Sequence, residues 1–126
     1  MSDERNQKID YIEFPAADTA RAKAFYSDVF GWKFEDYGPT YTSFADGRIA
    51  GGFQADAAAR PAKPLIVIYA TDLEAAQAAV ERAGGKIVQP IFSFPGGRRF
   101  HFTDPEGNEL AVWSDRKSTR LNSSHT

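Results

Sequence analysis

The strongest constraint on this chain is a spacing that occurs twice. Asp18 and Gly31 recur as Asp72 and Gly85, an offset of 54 residues, and the same offset lays Ala22 on Ala76 and Ala24 on Ala78. An aspartate side chain accepts from the N–H groups that open a helix, and glycine tolerates the left-handed conformation that ends one. The spacing therefore predicts two helices, from Asp18 or Thr19 to about Val29 and from Asp72 to about Arg82. The same elements surround each helix. Residues Ile9 to Phe14 alternate, with Ile12 and Phe14 on one side and Tyr11 and Glu13 on the other, which predicts a half-buried strand. Leu65 to Tyr69 predicts its buried counterpart. Each helix is followed by a strand (Trp32 and Phe34; Lys86 to Val88) and then by a hairpin. The hairpins are Tyr41–Phe44 with Ile49–Phe53 around Asp46-Gly47, and Phe100–Thr103 with Glu109–Trp113 around Asp104-Pro105-Glu106-Gly107.

This order predicts an α+β fold of two tandem β-α-β-β-β modules forming an open curved mixed sheet. The modules span 8–55 and 65–115, joined by a Pro-containing linker over 56–64, within one domain over 1–115. Residues 116–126, including His125, hold one apolar side chain and no period, and are expected to stand outside the fold.

Composition narrows the function. With 42% of 126 residues hydrophobic, the chain is long enough for one domain with a real core. Ten Phe, five Tyr and two Trp are many for that core, so some rings are expected on a pocket wall or partner surface. A net charge of −2 without a basic cluster argues against nucleic acid. The absence of cysteine removes disulfides, thiolate metal sites and Cys nucleophiles. No apolar run approaches the roughly 18 residues that cross a bilayer, and the polar stretch Met1 to Lys8 is unlike a signal peptide. A cytoplasmic protein with no membrane partner is expected. Gly51-Gly52 and Gly96-Gly97 lack the context of phosphate loops and are read as turns or bulges.

The stretch from Ile12 to Phe34, IEFPAADTARAKAFYSDVFGWKF, and the turn from Phe102 to Trp113, FTDPEGNELAVW, resemble the vicinal-oxygen-chelate superfamily of glyoxalases, bleomycin-resistance proteins and extradiol dioxygenases. The resemblance covers roughly residues 8–115 and implies paired β-α-β-β-β modules, each giving four strands to a cup, within a homodimer. It also implies a divalent cation held by His and Glu from the strands. Those positions carry Tyr11, Ile66, Ala111 and Gly51 or Gly52 here. Ile, Ala and Gly have no ligand atom and neutral Tyr is a poor ligand, so no metal and no other cofactor is expected.

Alternation places Tyr11, Glu13, Ile66, Ile68, Arg99, His101, Thr103, Glu109, Ala111 and Trp113 in the cup, with Trp32, Tyr41 and Phe44 on its rim or wall. Glu13, His101 and Glu109 are the candidate catalytic groups. Tyr11, Trp32, Tyr41, Phe44, Ile66, Arg99, Ala111 and Trp113 are the candidate ligand contacts. Aromatic walls with a few convergent polar groups suit a small planar molecule. The leading expectation is metal-independent binding of such a molecule, of the sequestration or resistance type. The alternative is a lyase, isomerase or hydrolase using Glu/His acid–base chemistry, or a displaced metal site of Glu13, His101 and Glu109. The bland readings stay open beside these: Glu13 and Glu109 as solvated charges, Arg99 as an ion-pair partner, and His101 as a hydrogen-bonded wall residue.

Overall fold

A computed structural model describes residues 3–116, so most of the polar tail, with His125, lies outside the described residues. Ten elements follow in order: β1 (Lys8–Pro15), α1 (Thr19–Phe30), β2 (Lys33–Asp36), β3 (Tyr41–Ala45), β4 (Ala50–Gln54), β5 (Leu65–Tyr69), α2 (Leu73–Arg82), β6 (Lys86–Phe94), β7 (Gly97–Thr103) and β8 (Glu109–Ser114). The β-α-β-β-β order thus occurs twice. Contacts divide the chain into a first unit, Asp10–Ile66, and a second unit from Val67 onward that also takes the residues up to Ile9.

In the first unit the strands lie in the order β2-β3-β4-β1. β1 runs parallel to β4, while β2, β3 and β4 pair antiparallel, so this part of the sheet is mixed. The Asp18 side chain accepts from the Arg21 N–H at 3.1 Å, and Gly31 (φ 72°) ends α1 by donating to the Ser27 carbonyl at 3.0 Å. The layer between helix and sheet is aromatic. Phe14 stacks on Phe53 (5.2 Å between ring centroids), Trp32 on Phe44 (4.6 Å), and Tyr26 on Trp32 (4.7 Å). Such offset ring contacts add to the burial of large apolar area. Phe44 and Phe53 are each 4% exposed, whereas Phe25, Val29 and Phe30 on α1 stay more than half exposed.

In the second unit the order is β5-β8-β7-β6. α2 covers a core of Ala70, Leu73, Phe100, Phe102 and Val112. Asp72 caps α2 through the Ala75 N–H at 3.0 Å, and Arg98 on β7 donates to Glu74 in the first helical turn at 2.7 Å. The residues before β1 are tied to this unit. The Gln7 N–H donates to the Tyr69 carbonyl (2.7 Å), the Thr71 N–H donates to the Asn6 side chain (2.9 Å), and the Arg5 guanidinium lies 3.9 Å from the Tyr69 ring centre.

Three local expectations change. Gly51 and Gly52 lie inside β4, paired on both sides, rather than in a turn. β6 runs well past Val88 to Phe94, and β7 starts at Gly97 rather than Phe100. β6 carries Pro90, which cannot donate to a ladder, and its register shifts between Ile87 and Gln89 and again between Gln89 and Phe92.

Candidate functional site

The polar chemistry of the first unit sits on the sheet face turned away from α1. Alternation along β1 puts Phe14 in the aromatic layer and leaves Tyr11 and Glu13 on the other face. Glu13 pairs in register with Gly52, and Gly52 with Ser43. The phenols of Tyr11 and Tyr41 reach over this glycine and hydrogen-bond to each other. The space they use is the space a side chain at 52 would need: a Cβ there would lie 2.7 Å from the Tyr11 hydroxyl and closer still to that of Tyr41. Gly51 answers to the other face, where a Cβ would meet the Ile12 carbonyl and the Phe44 ring. Glu13 is 5% exposed, so a carboxyl group is buried beside the phenol pair's strand position.

The second unit places its polar groups on the face away from α2. Arg99 pairs with Trp113, His101 with Ala111, and Thr103 with Glu109 across β7 and β8. His101 is 8% exposed, and its Nδ1 lies 3.1 Å from a Glu109 carboxylate oxygen. A carboxylate at Nδ1 favours the tautomer with its hydrogen there, which makes Nε2 the basic nitrogen. Phe92 lies 5.9 Å from the imidazole ring. The Arg99 guanidinium lies 5.6 Å from the Phe92 ring centre and 5.9 Å from that of Phe94, within reach of cation–π attraction. Trp113 meets Tyr69 edge-on at 5.2 Å. The Tyr69 hydroxyl donates to Asp115 at 2.5 Å. Burial pushes the Tyr69 phenol above its ordinary value, and the Asp115 carboxylate adds to that. The same hydrogen bond holds Asp115 below the usual carboxylate value.

Of the expected cup residues, Tyr11, Glu13 and Tyr41 share one face of the first unit, and Arg99, His101, Glu109, Ala111 and Trp113 share one face of the second. Trp32 and Phe44 do not line a cup wall. They stack on each other in the aromatic layer under α1, because Phe44 lies three residues from Tyr41 and so on the opposite face of β3. Ile66 and Ile68 are likewise displaced. Ile68 packs against the core beneath α2, and Ile66 shares its side of β5. Gly52 and Ser43 were not foreseen beneath the phenols. A paired glycine inside a strand between two tyrosine-bearing strands was the available signal, since such a glycine often marks a close approach.

The metal implied by the resemblance finds no ligand set at these positions. Tyr11 is hydrogen-bonded to Tyr41, Gly52 has no room for a side chain beneath them, and neither Ile66 nor the fully buried Ala111 has a ligand atom. Among the described residues no three His, Cys, Asp or Glu side chains come together in a way that could hold a metal ion. Away from the phenol pair, an open groove of about 290 Å³ runs along the start of α1, between Asp18, Arg21, Phe25 and Phe53.

Two β-α-β-β-β units, each with a helix on one sheet face and polar side chains on the other, define a small paired-module class of protein. The chain belongs to the Glyoxalase/Bleomycin resistance protein/Dioxygenase superfamily, which it matches over residues 8–112. It is 34% identical over 119 residues to a glyoxylase-like domain-containing protein of Didymella fabae, covering 83% of this chain and 91% of that one. It is 25% identical over 123 residues to CFP32 of Mycobacterium bovis, covering 89% of this chain and 47% of the relative, so it spans about half that protein's length. Its fold is similar to the Mn(II)-bound glyoxalase of Novosphingobium aromaticivorans, with a TM-score of 0.64 and 25% identity over 90% of this chain and 40% of that one. No helix among the described residues is long and apolar enough to cross a membrane.

Proposed function

We propose that this glyoxalase-like chain binds a small planar or aromatic molecule on the sheet face away from its helices, without a divalent metal, in a sequestering or resistance role. The observation that carries this reading is the Tyr11–Tyr41 pair over Gly52, phenols and a bare backbone at positions where the resemblance implies metal ligands. The phenols supply directional hydrogen bonds and stacking surfaces in the first unit, and in the second unit the Arg99 guanidinium edged by Phe92 and Phe94, with Trp113, supplies its own, each the usual make-up of a small-ligand site. The working form is a cytoplasmic homodimer, and sedimentation at micromolar concentration tests the dimer. Saturable quenching of Trp113 fluorescence across a panel of antibiotics and aromatic metabolites, by protein that carries no stoichiometric divalent ion in elemental analysis, is the expected result. Stoichiometric metal, or no quenching by any member, overturns the reading.

A second reading is favoured by one contact. His101 held by Glu109 at 3.1 Å is an oriented proton acceptor, suited to a lyase or isomerase step on a bound carbonyl compound. On this reading His101→Ala abolishes turnover, while Glu109→Gln lowers it and shifts its pH profile. Turnover that survives both substitutions removes His101 as the base.

A further inference from the structure

Helix α1 is bare along one flank. None of its twelve residues is fully buried, whereas α2 buries Leu73. Phe25 and Val29, four residues apart and so on one side of the helix, are 55% and 52% exposed. The groove at the start of α1 continues that stripe, since Asp18, Arg21, Ala22 and Phe25 line it. Asp18, Ala22, Phe25 and Val29 thus follow an i, i+4, i+7, i+11 seam, the spacing with which one helix packs along another.

The charges beside the seam say what it pairs with. Arg21 lies in the first turn of α1 and Asp28 in its last. Each stands at the unfavourable end of its own helix, because a helix is electropositive at its N-terminus and electronegative at its C-terminus. Seven residues put them about 10 Å apart along the axis, too far to neutralise each other. Lys23, on the opposite flank, is already held by Asp36 at 2.9 Å. A second α1 laid antiparallel across the seam brings the Arg21 of each copy to the Asp28 of the other, with Phe25 against Phe25 near the middle. A parallel neighbour would set like charge against like. The antiparallel contact is self-complementary, as a two-fold interface requires.

Building on the homodimer proposed above, and resting on it, we propose that α1 is its interface. Two copies pack α1 against α1 in antiparallel sense, with Phe25 at the two-fold axis, Val29 in the groove of the other copy, and an Arg21–Asp28 ion pair at each end. An interface of one helix pair belongs with the small, reversible ones. It leaves the face that carries Tyr11 and Tyr41 uncovered, because that face is turned away from α1.

Sedimentation equilibrium of charge-reversed chains tests this. Arg21→Asp and Asp28→Arg each set like charges together at both ends of the seam, and each should weaken the dimer by about 10-fold. Both substitutions fall on exposed positions and suit the helix's own dipole, so the monomer keeps its fold. Mixing the two variants restores opposite charges at both ends, and the mixture should recover the original association as a heterodimer. Association unchanged in both single variants overturns the α1 interface, while the homodimer stands on another face. Single variants that dissociate and do not recover on mixing overturn the antiparallel pairing. An unsubstituted chain that stays monomeric up to about 100 μM overturns the interface and the homodimer together.

Discussion

Gly52 shows how a residue with no side chain can be decisive. A glycine inside a strand weakens it through backbone entropy, yet any larger residue here collides with two phenols. We expect Gly52→Ala to lower stability by about 1–3 kcal/mol, in the range of overpacking a filled site, as read by urea unfolding. Tyr69 and Asp115 give the residue scale its pH dependence. The folded Asp115 titrates below its ordinary value of 3.8, so its contribution is present above that value and is lost as pH falls through the folded one. The folded Tyr69 titrates above 10.0, so its contribution is complete below that value and is lost as pH rises through the folded one. Stability is therefore expected to fall below about pH 4 and above about pH 10. Asp115→Asn should flatten the acid limb, measured by denaturant midpoints at stepped pH. Part of this scale was legible in the sequence. Tyr11 and Glu13 were separable from Ile12 and Phe14 by alternation, but Phe44 was grouped with Tyr41 because both are aromatic, although an odd separation sends them to opposite faces.

Helix ends are the most legible elements, because their chemistry is local. Asp18 and Asp72 both cap as the spacing predicts, and Gly31 adopts the left-handed stop. At the end of α2 it is Gly84, at φ 102°, that takes the positive φ, after a cap at Ala83. Asp18→Ala and Asp72→Ala should each cost about 1 kcal/mol in chemical denaturation, since each strands an N–H that the carboxylate now accepts. Strand faces were harder. The site position on β1 lies seven residues before its cap, but Ile66 lies six before Asp72. Which face a strand residue takes is set by alternation along its own strand, and Ile66 goes with Ile68, which packs against the core beneath α2. The full length of β6 was hidden for another reason: Pro90 and two breaks of register erase the period-two signal over its middle.

At the scale of the whole molecule, the order of elements could be read from the duplicated spacing, while the sharing of chain between units could not. The residues before β1 read as a polar lead-in, yet Arg5, Asn6 and Gln7 contact Tyr69, Thr71 and Asp115 of the second unit. Those partners lie more than 60 residues away in sequence, where no local pattern reports them. Removing the residues up to Gln7 should lower the melting temperature by about 5–10 °C, the equivalent of one or two hydrogen bonds of about 1 kcal/mol in a domain this small. A calorimetric scan of the truncated chain checks this, and an unchanged melting point would show the segment to be ornamental.

The two tyrosines over Gly52 also bear on how this face can be changed. No side chain fits at position 52 while both phenols stand over it. A histidine at Tyr11 would leave Tyr41 over the bare backbone, and a carboxylate-bearing residue at Gly52 cannot enter until both phenols have gone. Position 52 is therefore locked to its two neighbours: a side chain can be introduced there only together with changes at Tyr11 and Tyr41.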